Sequence, residues 1–309
     1  MAATPALIKE LRELTGSGMS DCKKALEETG GDIKKAVEFL REKGLAAAEK
    51  KSGRIAAEGV VGLRVLADRA AMVEVNSETD FVAKNADFMA YVADVVNQVL
   101  ESKSNDIEAL LQEKWAKGSG ETVQDALKGK IATIGENLNI RRFVRFEKTT
   151  PGVISSYVHG GGKIGVLLDV EGPSDSAPLK EMAYNLCMQI AALFPKYLNV
   201  SDVDQDFIES ERKILEAVAK NDPANEKKPP QVIEKMVEGR LNKLLKEICL
   251  MEQAYVKDPQ ITVKAYIANT AKEIGADIKL LRFACFEKGE GIEKKQEDFA
   301  EEVAKAMQG

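Results

Sequence analysis

The chain has 309 residues, of which 44% are hydrophobic and 30% are charged, so it is long enough for two or more packed domains. Its formal net charge of -6 excludes the overall basic field that would hold nucleic acid or an anionic membrane. The four cysteines are widely separated and form no C-x-x-C pair, which argues against a zinc site or a disulfide framework. The sequence contains neither a secretory signal pattern nor an apolar run that could span a bilayer. We therefore expect a cytoplasmic protein with no metal or cofactor, whose partner is another protein or a small molecule.

Residues 4–43 are predicted to form three short helices, because apolar residues recur at spacings of three and four between glycine breaks. We expect Ser20 or Asp21 to cap the second helix and Asp32 to cap the third. The pattern resembles a three-helix domain of the ubiquitin-associated type. Met19 belongs either to the small core of this unit or to a surface that binds a partner, and the sequence alone does not decide between these roles.

The next segment, residues 44–52, is rich in alanine and lysine and has almost no apolar face. We interpret it as a linker, which makes residues 1–52 an amino-terminal domain with its connection.

A polar loop at residues 76–85 contains one large aromatic side chain, Phe81. The loop follows a predicted strand at residues 72–75 and precedes a predicted helix. A phenyl ring that stays in water loses roughly 1.5–3 kcal/mol of burial free energy. Phe81 therefore either packs on the core beneath a turn capped by Thr79 or Asp80, or is held outward for a partner.

Beyond residue 54 the chain repeats itself. Three segments recur at one offset of 93 with no gap: 59–60 as 152–153, 72–75 as 165–168, and 89–91 as 182–184. Three more recur at an offset of 140: Gly135 as Gly275, 142–143 as 282–283, and 146–148 as 286–288. The pattern predicts a duplicated α+β core, residues 53–148 and 149–289. In each copy a small antiparallel sheet is formed by a β-hairpin and a closing strand.

The difference between the two offsets, 47, predicts an insertion in the second copy. We place it at about residues 202–255, where apolar residues from Ile233 to Tyr255 follow helical spacing and prolines break the chain before them. This pattern predicts an antiparallel helical hairpin of the coiled-coil type, projecting roughly 30 Å. Residues 290–309 are predicted to form a carboxy-terminal helical module with a narrow apolar stripe, Phe299, Val303 and Met307.

Catalytic motifs are weak in this sequence. The single histidine, His159, precedes a glycine turn that begins at Gly160, but no G-x-S-x-G element accompanies it. Lys163 follows glycines as in a phosphate loop, yet Ile164 stands where a magnesium-binding Ser or Thr is required. We predict that the protein is not an enzyme, with acid or base catalysis by His159 as the alternative.

Several motifs occur together in one order, and together they resemble the elongation factor Ts family from end to end. They are Thr15-Gly16-Ser17-Gly18-Met19, Asp21-Cys22-Lys23-Lys24-Ala25-Leu26, Glu78-Thr79-Asp80-Phe81-Val82-Ala83, Gly135-Glu136-Asn137-Leu138-Asn139-Ile140-Arg141-Arg142, Ser156-Tyr157-Val158-His159-Gly160, Lys235-Met236-Val237-Glu238-Gly239-Arg240 and Gly289-Glu290-Gly291-Ile292-Glu293. The turn after His159 carries three glycines and departs locally from the family pattern.

The resemblance implies a guanine-nucleotide exchange factor that binds the GDP-bound form of elongation factor Tu, dislodges its Mg²⁺ and promotes GDP release in protein synthesis. By the same resemblance the ion is displaced by Thr79, Asp80, Phe81 and Val82. Phe81 would enter an apolar gap in the GTPase domain, and Asp80 would perturb the water network of the ion.

The resemblance also implies partner-binding roles for four residues outside this segment. Met19 and Lys23 would touch the same GTPase domain, and His159 with Gly160 would reach a different domain of the partner. No contact with nucleic acid or membrane is implied. A passive adaptor or chaperone, which binds proteins without affecting their nucleotides, remains the alternative.

Overall fold

The computed structural model of the protein describes residues 3–118, 120–226 and 228–293. The amino-terminal unit contains the three predicted helices, α1 (Pro5–Thr15), α2 (Met19–Glu28) and α3 (Ile33–Lys51). They enclose a small core of buried side chains, Leu11, Cys22, Ala25, Leu26 and Ala36. The helices are confirmed, whereas the likeness to a ubiquitin-associated domain stays a prediction.

The predicted caps of these helices are correct for α3 and wrong for α2. The Asp32 side chain accepts a hydrogen bond from the backbone N–H of Lys35 at 3.1 Å, as an N-cap should. The N-cap of α2 is Gly18, which makes no side-chain bond. Because α2 already begins at Met19, Ser20 and Asp21 lie inside its first turn.

The predicted linker at residues 44–52 has high helix propensity and does continue α3 to Lys51, but its interpretation as a linker is wrong because the segment is packed on the first repeat. This half of the helix packs against α7 (Val123–Ile134), and a Cβ atom placed on Gly44 would lie 3.0 Å from the Cβ of Ala132. Ala48 is buried in the core of the first repeat. Small residues let two helices approach closely, but they give almost no apolar signal in a sequence pattern. The division at residue 52 stays a prediction.

The first repeat contains a three-stranded antiparallel sheet in the order β1 (Glu58–Val65), β2 (Arg69–Ser77) and β3 (Asn139–Glu147). Between β2 and β3 lie the short helix α4 (Asp80–Ala83), the long helix α5 (Ala86–Glu101), α6 (Ile107–Gln112) and α7. Side chains of α5, α6 and α7 form one core with the inner face of the sheet.

The second repeat has the same strand order, β4 (Gly152–His159), β5 (Ile164–Glu171) and β8 (Lys279–Glu287). Its helices α8 (Ala177–Leu193) and α11 (Val263–Ile274) occupy the places of α5 and α7, and β6 (Ala254–Tyr255) pairs with β7 (Asp258–Thr262). The described residues thus confirm the mixed α+β class with small antiparallel sheets.

The single ungapped offset of 93 is wrong beyond the first strand of each repeat. The bulge at Glu74 in β2 corresponds to the bulge at Asp169 in β5, an offset of 95. The buried face of α5 matches that of α8 at an offset of 91, from Phe88 with Leu179 to Leu100 with Ala191. The hairpin turn of the second copy is therefore two residues longer, and the junction between its second strand and its long helix is four residues shorter.

The offset of 140 holds at the end of each repeat, where α7 and α11 both begin after a capping threonine and end at a left-handed glycine. The side-chain amide of Gln98 bonds Glu113, and the amide of Gln189 bonds Gln253 in the same way. The length of the insertion is the difference between the offsets of 140 and 91, which is 49. Since Leu250 and Gln253 both keep the offset of 140 and are buried, the insertion lies within residues 194–249.

The predicted insertion boundary at residue 255 is therefore wrong. Leu250 is fully buried in the second core, as Leu110 is in the first. The predicted helical hairpin consists of α9 (Gln205–Asn221) and α10 (Pro230–Ile248), which pack on each other and which we call the arm. The helix predicted to run to Tyr255 ends at Ile248, because the core resumes there. The carboxy-terminal helix predicted around Phe299, Val303 and Met307 lies outside the described residues.

The two repeats contact each other through reciprocal pairs. The Arg142 guanidinium lies 4.3 Å from the ring centre of Phe286, and that of Arg282 lies 4.4 Å from the ring centre of Phe146. Each arginine also binds the carboxylate at the bulge of its own repeat, Arg142 to Glu74 at 2.6 Å and Arg282 to Asp169 at 3.0 Å. These pairs relate the repeats as two copies that share one interface.

Candidate partner-binding site

Phe81 lies outside the core, with 81% of its surface exposed. It sits in the single turn α4, where Val82 is half-buried and Ala83 is buried against the first repeat. Thr79 caps this turn, because its hydroxyl oxygen accepts a hydrogen bond from the Val82 N–H at 3.3 Å. Thr79 is one of the two caps that the sequence predicted. Packing of Phe81 on the core, one of the two sequence alternatives, is therefore wrong.

The turn that presents Phe81 is held from a distant part of the chain. A helix of four residues does not form by itself. The Thr79 hydroxyl donates to Oε1 of Glu136 at 2.6 Å, and the Thr79 N–H donates to Oε2 at 3.0 Å. In return, Glu78 accepts the Asn137 N–H at 2.5 Å. The junction between α7 and β3 thus fixes the end of β2, a role that the sequence analysis did not give to Glu136.

Asp80 places a negative charge beside the exposed ring. Lys84 donates a hydrogen bond to its carboxylate at 2.7 Å. This bond, helped by the positive charges of Lys84 and Lys288, holds the pKa of Asp80 below its usual range. The carboxylate is therefore ionised at neutral pH and faces solvent beside an apolar group.

The predicted partner-binding residues of the first domain are exposed as well. Met19, the first residue of α2, is 62% exposed and lies outside the small core, so a core role for it is wrong. Lys23 is one helical turn further along α2, with its Nζ 3.8 Å from Glu27. Leu14 at the end of α1 is 63% exposed, which the sequence analysis missed. Leu14 and Met19 thus flank the glycine turn as two exposed apolar side chains.

His159 ends β4 and is exposed, and its Nδ1 lies 3.0 Å from the Tyr157 hydroxyl. Gly160, Gly161 and Gly162 all have positive φ, a region that glycine occupies without steric cost. The carbonyl of Gly162 accepts the Val61 N–H at 2.8 Å, so the turn is anchored to β1 of the other repeat.

Catalytic and metal chemistry find little support in the described ranges. The His159 ring contacts Tyr157, and among the described residues no carboxylate is hydrogen-bonded to it. Across residues 3–118, 120–226 and 228–293, no cluster of three or more His, Cys, Asp and Glu side chains is placed to bind a metal. All four cysteines are free thiols, and burial raises the pKa of Cys187 and of Cys285 to about 12. None of the helices in those ranges is both long and apolar enough to cross a bilayer.

The predicted site residues thus lie on three separate elements: Met19 and Lys23 on α2, residues 79–82 at α4, and His159 with Gly160 at the β4–β5 turn. The packing of α3 on α7 and the bond from Val61 to Gly162 join these elements to one core. The predicted site residues therefore lie at three separate places on the surface of the described residues.

Comparison with known proteins identifies the family to which this chain belongs. The sequence model of the family described as "Elongation factor TS" matches residues 78–290. The chain is 50% identical over 307 residues to elongation factor Ts of Clostridium tetani (strain Massachusetts / E88), covering 99% of each chain. It is 52% identical over 302 residues to elongation factor Ts of Clostridium botulinum (strain Eklund 17B / Type B), covering 97% of each, and 49% identical over 306 residues to that of Clostridioides difficile (strain 630), covering 98% of each. The chain belongs to the elongation factor Ts family.

Proposed function

We propose that this protein is a guanine-nucleotide exchange factor that binds elongation factor Tu in its GDP-bound form and promotes GDP release during translation in the cytoplasm. Membership of the family supports the exchange role. The observation that supports a mechanism is Phe81, which is 81% exposed on a turn that ends at the buried Ala83 and whose cap, Thr79, is held by hydrogen bonds from a distant part of the chain. Keeping a large apolar ring exposed to water costs free energy, and such exposure is typical of a residue that contacts a partner.

The exchange mechanism is displacement, with no covalent step by this chain. Phe81 enters an apolar gap of the GTPase and carries its turn toward the nucleotide. Mg²⁺ requires near-ideal octahedral coordination, so a small shift of its ligands weakens its hold on the nucleotide. The ionised Asp80 beside Phe81 competes for the water molecules of that ion. Binding of the exchange factor and of GDP then oppose each other by the same factor.

The other two surfaces supply affinity. Met19 and Lys23 bind the GTPase domain through apolar contact and positive charge, and His159 with the Gly160 turn reaches a second domain of the partner. Contacts on two domains orient the Phe81 turn before it enters. The net charge of -6 favours such a protein partner over nucleic acid or a membrane surface.

Release of a fluorescent GDP analogue from elongation factor Tu, followed by stopped flow, tests the proposal. Phe81→Ala should lower the saturating release rate by tenfold or more, because several contacts unique to the displaced state depend on the ring. Its free energy of unfolding should change by less than about 1 kcal/mol, the range for a surface side chain. Asp80→Ala should slow the same step, and the double variant should lose less than the product of the two factors.

Val256→Ala is a matched control, since Val256 is an exposed apolar residue of the second repeat, far along the chain from the Phe81 turn. It should leave both the release rate and the stability unchanged. A wild-type release rate in Phe81→Ala would refute the wedge. If the wild-type protein bound elongation factor Tu without accelerating release, the passive adaptor would replace the exchange factor.

A further inference from the structure

Glu136 is a residue outside the Phe81 turn that is hydrogen-bonded to Thr79. Glu136 lies 57 residues away along the chain, immediately after the glycine that ends α7. Both of its carboxylate oxygens bind Thr79, one through the backbone N–H and the other through the hydroxyl. Charged acceptors form the stronger class of hydrogen bonds in proteins, and a two-point contact fixes orientation as well as distance.

The same hydroxyl of Thr79 works in two directions. The Thr79 hydroxyl donates to Glu136 at 2.6 Å and accepts the Val82 N–H at 3.3 Å. Because the hydroxyl proton points at the carboxylate, Glu136 sets the direction of the hydroxyl lone pairs that accept the Val82 N–H. The capping bond in turn defines the single turn on which Phe81 stands. Glu136 therefore stabilises the conformation of residues 79–82 through the Thr79 cap.

A second contact between the same two segments prevents them from sliding. Glu78 accepts the Asn137 N–H at 2.5 Å, so neighbouring residues on each segment bind neighbouring residues on the other. The side-chain amide of Asn137 donates to the Arg54 carbonyl at 2.7 Å, just beyond the end of α3. The Phe81 turn is thus fixed relative to the helix that carries the first domain.

The second repeat shows that the fold itself does not require this carboxylate. At the offset of 140, Ala276 replaces Glu136, although the left-handed glycine before it and the strand after it are retained. The same repeat has five residues, 172–176, where the first has nine, 77–85. The carboxylate therefore accompanies the turn and is absent from the copy that lacks the turn.

From these contacts we infer that Glu136 is a positioning residue for nucleotide exchange, which holds the Phe81 turn in the conformation that enters the GTPase. The inference rests on the proposed function. Without Glu136 the segment 79–82 adopts several conformations, so the displacement step slows. Partner binding through the other two surfaces persists because it does not depend on this segment.

The test measures the release rate of the fluorescent GDP analogue over a range of exchange-factor concentrations. Glu136→Ala should lower the saturating rate by about tenfold, the equivalent of one hydrogen bond to a charged group. The half-saturating concentration should change by less than about twofold, because the contacts that give affinity are elsewhere. Glu136→Gln, which keeps one acceptor oxygen, should fall between this variant and the wild type.

Asp106→Ala is the matched control. Asp106 caps α6 in the same repeat by accepting the Ala109 N–H at 2.8 Å, so its loss removes a similar bond at another helix. It should lower the denaturation midpoint to a similar extent as Glu136→Ala and leave the release rate unchanged. Amide hydrogen exchange in Glu136→Ala should become faster at residues 78–85 and stay unchanged in the core of the first repeat.

Three results would overturn the inference: a wild-type rate in Glu136→Ala, an equal loss of rate in Asp106→Ala, or unchanged hydrogen exchange at residues 78–85. The first two apply when the wild-type protein accelerates release. If it does not, the proposed function fails with the inference, and that failure is visible in the wild type before any variant is made.

Discussion

The two repeats have the same frame but differ in the residues added to it. Each has a three-stranded antiparallel sheet, one long helix against that sheet and a second helix between a capping threonine and a left-handed glycine. The first repeat adds four residues between its second strand and its long helix, which form the Phe81 turn. The second adds a much longer segment after its long helix, and this insertion contains the arm. The copies differ in these additions, whereas the buried positions of their long helices match.

The arm offers the strongest test of this separation between frame and addition. Its two ends meet at the core, where the Met251 N–H donates to the Leu198 carbonyl at 3.0 Å. Replacing residues 200–248 with a short Gly/Ser linker should therefore keep the sheet and cooperative unfolding. Replacing residues 202–255 also removes the fully buried Leu250 and should cost at least about 3 kcal/mol, as for loss of a core leucine.

Circular dichroism and urea unfolding of the two deletions would measure this contrast. Collapse of both proteins would mean that the arm supports the second core. Equal stability of both would mean that residues 250–255 belong to the insertion after all.

The next prediction concerns the reciprocal arginines, which look equivalent but bind different carboxylates. Arg282→Ala should cost about 3 kcal/mol, because Asp169 is buried and its Oδ1 already has no hydrogen-bond partner among the described residues. Arg142→Ala should cost about 1–2 kcal/mol, because Glu74 keeps bonds from Arg141 and from the Gly289 N–H. Each variant loses one similar stacking contact on a phenylalanine and one bond to a backbone carbonyl. Arg142→Ala also loses an exposed ion pair with Glu290, which is worth at most about 1 kcal/mol, so the difference mainly reports the buried carboxylates.

Denaturant unfolding of both single variants gives this difference directly. Equal losses would mean that the aromatic contacts dominate. A larger loss in Arg142→Ala would mean that Glu74 depends on Arg142 alone, contrary to its other hydrogen bonds.

Much of the frame was predictable from sequence, since helical spacing and strand alternation are set by the positions of apolar residues, and the repeat offset of 140 is visible in identical residues at the end of each copy. The linker at residues 44–52 failed for a physical reason. Ala48 and Gly44 pack closely because they are small, and smallness carries no signal in a hydrophobic pattern. The offset of 93 failed because similar residues were aligned across changes in loop length. Burial on α5 and α8 shows where those changes lie.

The candidate site was predictable in part. A solitary phenylalanine in a polar loop indicated either a core contact or a partner contact. Its 81% exposure in the structure rules out the core contact, and the partner contact stays a proposal. Glu136 lies in one of the family motifs but had no assigned function, because its contact with Thr79 joins residues 57 positions apart. A single sequence contains no local signal for such a contact.

The smallest predicted effect concerns Glu74, the buried carboxylate at the bulge of β2. Burial by itself raises the pKa of Glu74, but hydrogen bonds from the Gly289 N–H and Asn76, together with Arg142 and Arg141, lower it below the ordinary value of 4.5. A group whose pKa is lower in the folded state stabilises the fold above its unfolded pKa, and this stabilisation is lost as the pH falls through the folded pKa. Glu74→Gln should therefore cost about 1 kcal/mol at neutral pH, the difference between a charged and a neutral hydrogen-bond acceptor. The wild-type and variant curves of unfolding free energy should converge as the pH falls below 4.5. Urea unfolding at a series of pH values measures both curves, and a constant separation down to the acid limit would show that Glu74 does not titrate with folding.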